Sequence, residues 1–269
     1  MIKKCFLFLI FLSLWIQGCR KDNNPVEPDQ GSQEASVLYN GKYYPSQNLN
    51  DWGMGSAQKE YVHVDKDYDW YIDQADTGPA AQNNCGPSCA TMVIKWYDKN
   101  FSKTAEDARE MYPMNNGWWY TNNIIDYLNY YNIPNATFGF TGTEQLEGIL
   151  KDGNIAIICI STEFLRYNSK MNQRVDRFYS YASGHFLVLK GFRKVDDETF
   201  FEAYDSNNWH EVYADGSQKG KSRHYRAVDI SNAIKNWWKY VIIINKNKLA
   251  KKFAGNTVDP GKIKHMWGR

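Results

Sequence analysis

Three residues far apart in the chain carry side chains that together could do nucleophilic chemistry. The first is Cys85, in the run Asn83-Asn84-Cys85-Gly86-Pro87-Ser88-Cys89-Ala90. A polar, turn-forming stretch ends at this cysteine, and apolar residues at helical spacing follow (Ala90, Val93, Ile94, Trp96, Tyr97). Gly86 and Pro87 stand where a first helical turn forms, and proline is tolerated there because its missing N–H is an orphan donor anyway. Cys85 therefore reads as the first residue of a buried helix, where the partial positive charge of the N-terminus favours a thiolate. The thiolate is the nucleophilic form, and it needs a base, which in turn needs an orienting group. Among His63, His185, His210, His224 and His265, only His185 opens an apolar run, Gly184-His185-Phe186-Leu187-Val188-Leu189. The next strand-like segment ends Tyr204-Asp205-Ser206-Asn207. A hairpin between Phe192 and Phe200 would lay the two side by side, so that Asp205 reaches the imidazole nitrogen facing away from Cys85. Asn207 is the alternative orienting residue, since an amide also holds a ring.

The elements that must position these residues follow from periodicity. Helices are expected from Cys85 to about Asn100, Ser102 to Met111, Trp118 to Tyr131, Thr143 to Leu150 and Ile230 to Trp238. Strands are expected at Ser36 to Tyr44, within Tyr61 to Ile72 (or an extended lead-in), and at Ile133 to Phe140. The others are Ile155 to Ile160, Gly184 to Phe192, Phe200 to Tyr204 and Val241 to Ile244. Thr162 to Ser180 reads as a long irregular excursion. Most helices come early and most strands late, which predicts an α+β fold with a mostly antiparallel sheet. The clusters Trp118-Trp119-Tyr120 and Trp237-Trp238 are compatible with a groove wall, but core packing is the more common fate of such aromatics, and they receive no role.

Composition narrows the functional classes. The 269 residues carry a formal charge of +2, which argues against nucleic acid as the main partner. The five cysteines are Cys5, Cys19, Cys85, Cys89 and Cys159, without the spacing of a disulfide framework or a zinc site. Cys89, one turn after Cys85, and Cys159, inside an apolar run, read as buried packing residues. No phosphate loop, metal cluster or nucleotide motif is seen, so no cofactor and no metal are expected.

At the N-terminus, Lys3 and Lys4 precede an apolar run from Cys5 to Ile16, short for a membrane span but suited to a signal-peptide core. The ending Ile16-Gln17-Gly18-Cys19 resembles the lipobox of bacterial lipoproteins. That resemblance implies a signal peptide over 1–18, lipidation of Cys19 and a membrane anchor on the bacterial cell envelope. Residues 19–35 then read as a lipidated cysteine and flexible tether, 36–249 as the folded domain and 250–269 as a basic tail.

Asn84-Cys85-Gly86-Pro87 at a helix start, Gly184-His185 opening an apolar strand and Tyr204-Asp205 ending the next resemble the C39-like branch of papain-like cysteine peptidases. The stretch Glu144 to Ile160, a short helix, Asp-Gly and a buried strand, strengthens the match, which covers roughly Tyr71 to Asn245. The resemblance implies a papain-like fold with the nucleophile helix packed on the sheet. It also implies Cys85 as nucleophile, His185 as general base and acid, and Asp205 as orienting residue. The departure concerns the oxyanion glutamine, which in this family commonly lies about six residues before the cysteine. That position is Pro79 here, which has no donor. Gln74 is preferred, with Thr77-Gly78-Pro79 looping out between it and the helix; Gln82 is the alternative, with little room to fold back. The expected function is a lipid-anchored cysteine peptidase acting on a peptide or protein substrate. The alternatives are a catalytically silent peptide-binding lipoprotein of the same fold, and an acyltransferase or amidase acting on a non-protein substrate.

Overall fold

The computed structural model describes residues 49–244 and 258. The expected strand at 36–44, the signal and tether segments with Cys19, and all of the basic tail except Val258 lie outside the described residues.

Strands β1 (Gln58–His63), β2 (Asn135–Gly139), β3 (Ile155–Ser161), β4 (Gly184–Val195), β5 (Glu198–Tyr204), β6 (Arg223–Arg226) and β7 (Tyr240–Ile244) form one antiparallel sheet in the order β2-β7-β3-β4-β5-β6. β1 is the exception to this path, pairing with the second half of β4, Gly191 to Val195, while β3 pairs with the first half, Gly184 to Leu189. β4 is thus the strand on which the sheet is assembled. The continuous apolar run of β3 is buried at every position, as a central strand covered on both faces requires.

Helix α1 (Cys85–Tyr97) packs against β4, with α2 (Ala105–Met111) and α3 (Thr121–Tyr130) against α1. Helices α4 (Thr143–Lys151) and α5 (Ala227–Lys235) pack against β3. α1 is buried nearly all round, at Cys85 to Ile94 and Trp96, because sheet and helices enclose it. α2 starts on a reciprocal cap: the Thr104 hydroxyl accepts the Asp107 N–H at 3.1 Å, and Asp107 Oδ2 accepts the Thr104 N–H at 2.8 Å. The class is α+β, and helix α1 packed on a mostly antiparallel sheet matches the papain-like arrangement expected.

The elements depart from expectation in a few places. The first described strand ends at His63 and the chain to Asp73 has no regular structure, although it stays partly buried. α3 begins at Thr121, three residues after the expected start, because the Tyr120 backbone N–H is capped by Asn123 Oδ1 at 2.8 Å. α5 spans Ala227–Lys235, so Trp237 and Trp238 lie beyond it. Strand β6, Arg-His-Tyr-Arg, went unread. Its polar residues do not look buried, yet Arg223 is 1% exposed, its guanidinium donating to the carbonyls of Asp176, Gln173 and Val175 at 2.5–2.6 Å. In the tail, Val258 is half-buried and donates its N–H to the Thr137 carbonyl at 2.9 Å, so that residue docks on the fold.

Candidate active site

Cys85 is the first residue of α1, and His185 is the second residue of β4, which packs on that helix. Both are buried and both line one cavity of about 520 Å³. The side chain of Asn84, the residue before the helix, does not cap it. Asn84 Nδ2 instead donates to the carbonyl and hydroxyl of Thr77 at 2.8 and 3.0 Å. The helix N-terminus is thereby left open to the thiol, whose sulfur interacts with the backbone N–H groups of Gly86 and Phe186. Gly86 is required beside it: a Cβ there would sit 2.7 Å from Trp119 Cβ.

His185 Nε2 lies 2.7 Å from Asp205 Oδ1, leaving Nδ1 as the ring nitrogen available to Cys85. Asp205 follows the last residue of β5, and the register that pairs Val188 with Tyr204 brings it to the start of β4. Its carboxylate also accepts from the hydroxyls of Tyr225 at 2.5 Å and Tyr179 at 3.3 Å, and from the Asn207 N–H at 2.9 Å. The backbone is gripped as well. Asp205 N–H donates to Gly220 O at 2.9 Å, and its carbonyl accepts the Tyr71 hydroxyl at 2.7 Å. A Cβ on Gly220 would fall 2.1 Å from that carbonyl oxygen, so residue 220 has to be glycine for the strand end to sit where it does.

Electrostatics follow from these contacts. Burial alone would raise the Cys85 thiol, but the His185 hydrogen bond and charge and the Phe186 and Gly86 N–H groups outweigh it, and the net shift is downward. Burial would lower His185, but Asp205, by charge and hydrogen bond, and Cys85 lift it to about 10. Burial would raise Asp205, yet His185 and the Tyr225 hydroxyl hold it below the usual carboxylate range. Cys89 and Cys159 are pushed up by burial, and Cys89 donates its thiol to Phe186 O at 3.4 Å.

Asn207 faces elsewhere. Its Oδ1 accepts the Tyr181 hydroxyl and the Trp209 indole N–H, both at 2.6 Å, and only its backbone N–H reaches Asp205.

Gln74 is 3% exposed and lines the same cavity as Cys85. Its Nε2 donates to Ala81 O at 3.1 Å and its Oε1 accepts the Ser206 hydroxyl at 3.1 Å, which leaves the second amide hydrogen for another acceptor. The expected loop-out is visible. Gln74 Nε2 to Ala81 O and Asn84 Nδ2 to Thr77 O each span seven residues and close the segment between glutamine and helix from both sides. Gln82 also lines the cavity, but it is exposed.

Two positioning residues were missed from sequence. Asp73 is buried and accepts from Ala75 N, Asn208 Nδ2, Trp209 N and His210 N at 2.8–3.1 Å, tying the turn that carries Gln74 to the loop after Asp205. Arg109 on α2 is also buried. Its guanidinium donates to Asn84 Oδ1 at 2.7 Å, Asn83 O at 2.8 Å and Gly117 O at 2.7 Å, clamping the residues just before Cys85. An Asp preceding Gln74 was the one available cue for the first; nothing local marks the second, an ordinary-looking helical arginine.

A helix-borne thiol, an imidazole and a carboxylate in this order define a cysteine-peptidase type of site. The chain belongs to the Peptidase_C39 like family, whose model matches residues 66–245. In fold comparison, a chain from Bacillus anthracis solved as a candidate C39-like peptidase aligns at 12% identity with a TM-score of 0.41, covering 71% of this chain and 100% of that one. Comparison with curated proteins gave no match. Among the described residues, no helix is long and apolar enough to cross a membrane.

Proposed function

We propose that this protein is a cysteine peptidase of the bacterial cell envelope, anchored through a lipid on Cys19. The contact that carries the enzymatic reading is His185, bound through Nε2 to a clamped Asp205 at 2.7 Å with its other edge turned to the first residue of α1. The Cys85 thiolate attacks the carbonyl carbon of an amide bond. The developing oxyanion is met by the free amide hydrogen of Gln74 and the backbone N–H of Cys85. His185 gives its proton to the departing amine, the C–N bond breaks, and a thioester to Cys85 remains. His185, now neutral, takes a proton from water as the water attacks that thioester, which returns the thiolate and releases the carboxylic acid. Asp205 holds the ring and stabilises the imidazolium throughout.

The test is labelling with iodoacetamide, read by mass spectrometry, in the wild type, Cys85→Ala and His185→Ala. Fast labelling of Cys85 at neutral pH, slowed by His185→Ala, with Cys89 and Cys159 unlabelled, is the expected result. Labelling of Cys85 only above pH ~8, unaffected by His185→Ala, is the behaviour of an ordinary thiol and would leave a silent binding protein. The anchor rests on Lys3 and Lys4, the apolar run and Gly18-Cys19. Cys19→Ser should move the protein from the membrane fraction to the soluble one; a soluble wild type would refute it.

A further inference from the structure

Beside the catalytic cavity lies a second one of about 390 Å³, and the two share Gln82, Asn83 and Trp209. Trp209 is therefore a ridge between them, 38% exposed, with Trp118 and Tyr181 also exposed in the catalytic cavity. Apart from the Cys85–His185 pair, no described residue lining either cavity carries an acidic or basic side chain; the rest of the polar lining is mainly amide and hydroxyl side chains. His210, next to Trp209, is spent on Asp76 at 2.7 Å. The ridge is rigid: Trp209 and His210 hold φ of +51° and +61°, values costly for bulky residues, and Asp73 accepts both of their N–H groups. The Asn207 carboxamide oxygen pins the Trp209 indole and the Tyr181 hydroxyl together.

We propose that these adjoining cavities bind an extended, uncharged stretch of polypeptide, with aromatic or aliphatic side chains packed against Trp209 beside the bond attacked, and that Asn207 is the positioning residue of that wall. A charged substrate side chain would be desolvated there without a counter-charge. An apolar one gains contact area on fixed rings, and the amides serve the substrate backbone. The proposal rests on the peptidase reading, and its test separates the two.

Full-length wild type is given a peptide mixture, its cleavage sites read by mass spectrometry. Full-length Cys85→Ala is titrated with fluorescent peptides that carry Phe, Leu and Asn, or Glu and Lys at the same places. Neutral peptides should bind and be cleaved at least ~10-fold better than charged ones, through KM. Trp209→Ala and Asn207→Ala should raise KM by a similar factor while the pH profile of Cys85 labelling stays put, and Trp209→Phe should restore most of the loss. Cleavage indifferent to charge overturns the proposal and spares the peptidase reading. Tight binding of neutral peptides to Cys85→Ala without cleavage by the wild type does the reverse. Losses in kcat with a moved labelling profile, or N-acetylglucosamine oligomers binding more tightly than any peptide, would also overturn it.

Discussion

Asp205 and His185 meet at 2.7 Å, and the carboxylate is held by three further donors, from Tyr225, Tyr179 and the Asn207 backbone. Such a carboxylate cannot swing away to solvent, so the imidazole it binds has one tautomer and one aim. Asn207 sends its side chain to Tyr181 and Trp209 instead. Asp205→Ala should therefore lower kcat by about 10²- to 10⁴-fold, with Asn207→Ala costing far less in kcat. Peptide hydrolysis by both variants, with folding checked by circular dichroism, decides; equal losses in kcat would return the orienting role to Asn207.

The same logic ranks the glutamines. Gln74→Ala removes a buried amide whose two other bonds fix its direction, and kcat should fall on the order of 10²- to 10³-fold with KM little changed. Gln82→Ala, at an exposed position, should keep kcat near wild type. A larger loss in the Gln82 variant would reverse the assignment.

Arg109 joins α2 to the residues before Cys85, and among the described residues no carboxylate forms an ion pair with it. Arg109→Met would strand the buried Asn84 Oδ1 and leave the half-buried carbonyls of Asn83 and Gly117 without this donor. The expected destabilisation is on the order of 3 kcal/mol, the scale of hydrogen bonds to a charged group, read as a fall in the urea midpoint. Arg109→Lys, keeping the charge but not the fork, should fall between. An unmoved midpoint in Arg109→Met contradicts the clamp.

The pH dependence follows from the directions of shift. Cys85 is lowered and His185 is raised to about 10, and both shifts favour the thiolate–imidazolium form of the pair. Peptide turnover should fall as pH rises through about 10, because the imidazolium that protonates the leaving amine is lost. Labelling of Cys85 should persist there, since the thiolate remains. For stability the signs are opposite on the two sides. The raised His185 stabilises fully below its ordinary value of 6.5, and this is lost as pH rises through about 10. The lowered Asp205 stabilises above its ordinary 3.8, and this is lost as pH falls. Turnover that dies at neutral pH, or labelling that dies with turnover at high pH, would show that His185 does not carry the proton.

The start of the nucleophile helix, the apolar strands of Ile155 and Gly184, and the order Cys85, His185, Asp205 are legible from the sequence alone. Each is a local pattern: a turn followed by helical spacing, or an apolar run bounded by polar residues. The side-by-side pairing of β4 and β5 is expected from sequence, but not its register, which runs on to Val195 opposite Glu198 and shifts between Leu189 and Gly191. What only the tertiary structure decided is where polar side chains find their partners. Arg223 in β6 is buried because loop carbonyls from Gln173 to Asp176 converge on it, and no local pattern announces that. Asp73 and Arg109 sit 12 and 24 residues on either side of Cys85 in ordinary surroundings, and act through atoms of loops that the sequence does not bring near. Strand adjacency favours Asp205 as the orienting group and leaves Asn207 as the alternative. The structure shows the contacts themselves: the backbone turn gives Asp205 to His185 and Asn207 to Trp209. Periodicity reports which face of an element avoids water, whereas hydrogen-bond partners are set by how distant elements dock, and no local pattern encodes that.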